Sequence, residues 1–132
     1  MVNYNCILKI IFVVTVMANI LLIEDSPDAA EMLTLLLTMK SHKVETAAST
    51  LAAREKMANF PFGLIIIDVW LGRDNGKELC KQIRKTDKKI PILLMSANPN
   101  LLEDYTECGA NAVIEKPFNI RIITDQINRL VP

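Results

Sequence analysis

Apolar and polar positions in this chain come in blocks. Short aliphatic runs at 19–23, 64–67 and 90–95 each stop abruptly on polar residues, and the stretches between them carry apolar residues at three- and four-residue spacing. The run Leu64-Ile65-Ile66-Ile67, closed by Asp68, predicts a short strand covered on both faces, as in a parallel sheet. Asn19 to Ile23 predicts an earlier strand of the same kind, ending on Glu24-Asp25. Ser26-Pro27-Asp28 then opens a helix: Ser caps, Pro suits the first turn, and Asp favours the positive end of the dipole. That helix runs to about Lys40 through Met32, Leu33, Leu36, Leu37 and Met39.

A weaker strand is expected at 44–48 and a helix at 50–59, broken by Phe60-Pro61-Phe62-Gly63. After Asp68 a loop covers 69–75, followed by a helix with Gly76, Leu79, Cys80 and Ile83 on its buried stripe and Lys77, Lys81 and Lys85 toward water. Leu101, Leu102, Tyr105 and Cys108 mark a shorter helix, ended by Gly109 as C-cap. A last strand at 112–114 ends on Glu115-Lys116-Pro117, and Ile120, Ile123, Ile127 and Leu130 give the closing helix. Five strand–helix pairs in alternation predict an α/β fold, a doubly wound parallel sheet with helices on both faces.

With 132 residues, the chain has room for one domain and a proper core. Fifteen acids against fifteen bases leave no net charge, so nothing electrostatic argues for nucleic acid as a partner. Cys6, Cys80 and Cys108 follow no ligand spacing and fit free thiols in a reducing cytoplasm. His42 is expected to face solvent between a helix and a strand.

Residues 1–16 stand apart. The run from Ile10 to Val16 is too short to cross a bilayer, and Lys9 lies inside the apolar stretch, so neither an inserted span nor a signal peptide fits. Met17-Ala18-Asn19 reads as a second, natural beginning, which makes 1–16 an extension and 17–132 the domain. The Ile/Val/Phe density leaves an ordered extra strand open, and such a segment would seek a sheet edge, its own or that of a second copy in a homodimer.

In open parallel sheets, ligands gather beyond the carboxyl ends of the strands. There this sequence places Glu24 and Asp25, Asp68, Ser96 and Lys116. With strand order 2-1-3-4-5, Asp25 stands beside Asp68 at the switch point. Three neighbouring carboxylates repel, and protonation or a cation relieves them; hard oxygen donors with room for water suit Mg²⁺. A carboxylate beside a metal, faced by an amine and a hydroxyl, is laid out for phosphoryl transfer to Asp68.

These residues and their spacing give the chain from Met17 to Pro132 a resemblance to the receiver domains of two-component response regulators. Glu24-Asp25, Asp68 with Leu71 and Gly76, Ser96-Ala97, and Lys116-Pro117-Phe118 carry it. The resemblance implies a flavodoxin-like fold and phosphorylation of Asp68 by a sensor histidine kinase or phosphotransfer protein. It implies Mg²⁺ held by Asp25, Asp68 and the backbone carbonyl of Trp70, with Glu24 acting through water. It also implies phosphate contacts from Ser96, Ala97 and Lys116, and a cis peptide at Lys116-Pro117. The protein would then be a phosphorylation-dependent switch or relay acting on a downstream protein target, and not a turnover enzyme. Because the sequence stops after the fifth helix, a stand-alone receiver is expected.

Two positions depart from that pattern. The switch residue that works with Ser96 is usually aromatic, and here it is Val113, which implies a muted or altered readout. Trp70 either packs its indole on the loop or shields an acyl phosphate from water. Rival readings fit less well. A dehalogenase-type phosphatase needs a second Asp where Trp70 stands, and a flavin carrier needs a hydroxyl- and Gly-rich loop where Glu24-Asp25 stands. A pseudo-receiver, serving only as an interaction module, would lack acids that are present here.

Overall fold

The computed structural model describes residues 17–131. Its core is a five-stranded parallel sheet: β1 (Asn19–Ile23), β2 (Lys43–Ala47), β3 (Leu64–Asp68), β4 (Ile92–Ser96) and β5 (Ala112–Glu115), ordered β2-β1-β3-β4-β5. Five helices alternate with them: α1 (Pro27–Met39), α2 (Thr50–Asn59), α3 (Gly76–Thr86), α4 (Tyr105–Cys108) and α5 (Ile120–Leu130). This is the expected flavodoxin-like order. The reading of residues 1–16, as extension or extra strand, lies outside the described residues. Within them no helix is long and apolar enough to cross a membrane.

The central strands are aliphatic on both faces because both are covered. Leu21, Ile23, Ile65, Ile67, Ile92 and Leu94 point to the side of α2, α3 and α4, where Ala53, Leu79, Cys80, Ile83 and Cys108 meet them. Ile20, Leu22, Leu64, Ile66, Leu93 and Met95 point the other way, to Leu33 and Leu37 of α1 and Ile123 and Ile127 of α5. Each such side chain contributes about 1.5–3 kcal/mol when withdrawn from water. The edge strand β2 is mostly exposed, which is why its pattern is weak.

Several expectations needed correction. Of the apolar residues of α1, only Ala30, Leu33 and Leu37 are buried, while Met32, Leu35 and Met39 are 66, 61 and 72% exposed. The helix expected through 101–108 is broken into a 3₁₀ turn, Pro99–Leu102, and the single turn of α4. Asn98 caps the first piece through Asn100 N–H, and Gly109, at φ 91°, ends the second. Lys77 is partly buried and pairs with Asp104 at 2.9 Å, tying α3 to the start of α4. His42 is only 5% exposed; its Nδ1 accepts the Ala18 N–H at 3.1 Å, anchoring the start of β1, and burial pushes the imidazole pKa down.

Candidate functional site

The sheet register gathers the predicted residues. Ile23 pairs with Ile67, so the first residue after β1, Glu24, arrives beside Asp68, the last residue of β3. Asp68 pairs with Met95 and Ser96 with Glu115, which brings Lys116 in from the far side. One carboxylate oxygen each from Glu24, Asp25 and Asp68 lies within 4.8 Å of the other two. Lys116 Nζ donates to Asp68 Oδ2 at 2.6 Å and to Glu24 Oε1 at 3.3 Å. Glu24, Asp68 and Ser96 are buried, whereas Asp25 is exposed at the mouth.

One ammonium does not balance this many acids. Burial, then the hydrogen bond and charge of Asp68, push the Glu24 carboxyl up to about 8, against the pull of Lys116. Burial also works against ionised Asp68, but hydrogen bonds from Glu24, Lys116 and the Trp70 N–H outweigh it and hold its pKa below the ordinary value. Lys116 loses solvation yet stays firmly cationic, because Asp68 and Glu24 raise its pKa. Around neutral pH the metal-free cluster is therefore a protonated Glu24, an ionised Asp68 and an ammonium. Glu24 Oε2 is buried and has no hydrogen-bond partner among the described residues. An orphaned oxygen beside two further carboxylates is a donor set that fits a small hard cation and its waters.

The loop after β3 forms the near wall. It is not irregular throughout, because Trp70–Leu71 pairs antiparallel with Asp74–Asn75 in a tiny ribbon. Trp70 N–H donates to Asp68 Oδ1 at 2.9 Å, orienting the carboxylate. Trp70 as a residue is 69% exposed, so its side chain is not buried on the loop. Gly76 opens α3 against the end of β3: its N–H donates to the Val69 carbonyl at 2.8 Å. A Cβ at 76 would run into the Asp68 backbone carbonyl and Ile67 Cγ2, so only glycine fits.

The remaining predicted residues lie on the same edge. Ser96 Oγ accepts the Asn98 N–H at 3.1 Å, turning the chain after β4. Ala97 is exposed beside it, and the Lys116-Pro117 peptide is cis. Val113 is half-buried, paired with Leu94 and packed on the core below the site. An apolar groove of about 450 Å³ adjoins Lys116, lined by Met32, Leu36, Ala97, Pro117 and Phe118 among others. Sequence reasoning had not singled out Thr50 and Asp74: Asp74 Oδ2 accepts the Thr50 N–H at 3.1 Å and its hydroxyl at 2.9 Å. Twenty-four residues separate them, so no local pattern could have joined them.

Comparison with known proteins bears on what this edge does. The profile of the response regulator receiver domain matches residues 20–128. The chain is similar to the transcriptional regulatory protein CpxR homolog of Haemophilus influenzae, at 32% identity over 117 residues, 87% of this chain and 51% of that protein. It is similar in structure to the chemotaxis response regulator CheY4 of Vibrio cholerae, with TM-score 0.80 and 29% identity over 88% of this chain and 100% of that one. The response regulator TrrA of Thermotoga maritima, solved in complex with Mg²⁺-BeF, gives TM-score 0.80 and 26% identity over 86% of this chain and 98% of its own. The chain spans about half the length of the curated relatives it matches. The order of strands, the acids just after β1 and at the end of β3, and the amine after β5 thus have their explanation: the chain belongs to the family of response regulator receiver domains.

Proposed function

We propose that this domain is a phosphorylation-controlled switch whose phosphoacceptor is Asp68. The observation that carries this reading is the Lys116 ammonium, shared between Asp68 and Glu24 Oε1, while the second Glu24 oxygen is buried without a partner among the described residues. Asp25, Asp68 and the Trp70 carbonyl would hold Mg²⁺, and Glu24 would act through its water. The metal supplies charge neutralisation at the phosphoryl oxygens. Lys116 does the same from the opposite side, and Ser96 Oγ and the Ala97 N–H take up the remaining oxygens. Asp68 Oδ attacks phosphorus in line; the new O–P bond forms as the N–P bond of a phosphohistidine breaks, and the departing imidazole takes a proton. The site assists this transfer without turning over a substrate.

The donor is a sensor histidine kinase or a phosphotransfer protein, and the apolar groove beside Lys116, continued by Met32, Leu35 and Met39, offers it a landing surface. Free buried Cys80 and Cys108 agree with work in the cytoplasm. Val113 offers no ring to swing, so the signal leaves through backbone shifts in 97–118 toward a protein target, a stretch that holds only one 3₁₀ turn and one helical turn before β5. Incubation with acetyl phosphate and Mg²⁺, read by intact mass, tests the core of this. A gain of ~80 Da for one phosphoryl group, absent in Asp68→Asn and without Mg²⁺, is expected. No gain in the parent protein would leave an interaction module that is not regulated by phosphate.

A further inference from the structure

The 69–75 loop borders two of the three acids. Trp70 N–H donates to Asp68 Oδ1 at 2.9 Å. Gly72, at φ 60°, runs beside Asp25: a Cβ there would be in ordinary van der Waals contact with Oδ2, at 3.4 Å. Wherever this loop sits, it sets the spacing of those carboxylates and of the Trp70 carbonyl. A ribbon of two-residue strands cannot hold such a position unaided. Its return arm is pinned from outside: Asp74 lies across from Leu71, and its Oδ2 takes both the N–H and the hydroxyl of Thr50.

Thr50 is a firm anchor. It is the first residue of α2, whose N-terminus is independently capped by Ser49 Oγ on the Ala52 N–H at 3.1 Å and whose Ala53 is fully buried. Asp74 is thus not required as the helix cap; what its two bonds add is a tie between α2 and the loop. Those bonds also hold the Asp74 pKa below its ordinary value, so the carboxylate stays charged and the tie closed across the neutral range.

We infer that Thr50 and Asp74 form a latch that positions the 69–75 loop for Mg²⁺ binding at Asp25 and Asp68, the two being positioning residues and not ligands. This rests on the phosphoacceptor reading above. The test titrates Mg²⁺ into the full chain and follows the Trp70 amide and indole signals by NMR, in the parent, Thr50→Val, Thr50→Ser and Asp74→Ala, with metal-free melting temperatures measured beside it. Thr50→Val removes the hydroxyl donor and Asp74→Ala removes the acceptor of both bonds, so each should loosen the loop and weaken Mg²⁺ by about three- to tenfold. Thr50→Ser, which restores the hydroxyl, should return to within about twofold of the parent. If Thr50→Val and Asp74→Ala keep the parent affinity, whatever their melting temperatures, the pair is a structural tie only and the inference falls. If the parent itself binds no Mg²⁺, the reading of the site falls first and takes the latch with it.

Discussion

Glu24 shows how much one residue's environment decides. Its carboxyl is pushed up to about 8 by burial and by Asp68, from an ordinary 4.5. Between those values the folded protein keeps a proton that the unfolded chain has released, so stability falls as pH rises from about 4.5 to 8. We expect the metal-free melting temperature to drop over that interval, and Glu24→Gln to flatten the drop. Mg²⁺ competes with the proton, so about fifty-fold more of it should be needed near pH 6 than near pH 8 for equal protection. Thermal melts across pH, with and without metal, read both. His42 works in the opposite sense, since its depressed pKa removes stability as pH falls below its usual 6.5; the difference between parent and Glu24→Gln cancels that contribution. At this scale the acids, Ser96 and Lys116 were legible because each interrupts an aliphatic run at a strand's carboxyl end. His42 was not, because its burial follows from the Ala18 N–H, a donor twenty-four residues away.

Among elements, α3 translates the site into the rest of the fold. Its first residue lies on the Asp68 carbonyl, and its far end is fastened by Arg84, which donates to the Gly109 carbonyl at 2.7 Å and to Asn111 Oδ1 at 2.9 Å. Gly76→Ala should therefore do two things at once. The added methyl meets backbone, which cannot swing aside, and overpacking of that kind costs about 1–3 kcal/mol. Because the atom displaced belongs to Asp68, phosphorylation by acetyl phosphate should slow even in buffer where the variant remains folded. Urea melts give the first number and intact-mass kinetics the second; a destabilised variant with parent kinetics would separate α3 from the site. The buried stripe of α3 was readable from Gly76, Leu79, Cys80 and Ile83. The break before α4 was not, because Leu101, Leu102, Tyr105 and Cys108 keep helical spacing across it, while Asp104 leaves the pattern to meet Lys77.

At the scale of the whole molecule, periodicity identifies apolar positions but does not say which neighbour covers them. Met32, Leu35 and Met39 follow the same helical spacing as Leu33 and Leu37, one face turned to the sheet and the other to water. Only the packed fold separates the two sets, and it leaves the second as a stripe leading to the groove at Pro117 and Phe118. Under the proposed function, a small donor such as acetyl phosphate would reach Asp68 without needing that stripe. A protein donor has to rest on something while its phosphohistidine enters the site, and an apolar anchor at such a contact typically carries a disproportionate share of binding. Leu35→Glu places a charge in the middle of the stripe without entering the core or the acidic cluster. Phosphorylation by acetyl phosphate should stay within about twofold of the parent, whereas transfer from a purified phosphohistidine protein active on the parent should fall by about tenfold or more. Equal losses with both donors would mean that the substitution disturbs the site through the fold. Equal rates with both would place the donor's footing elsewhere, on the exposed ribbon around Trp70 or on the α4–β5 side.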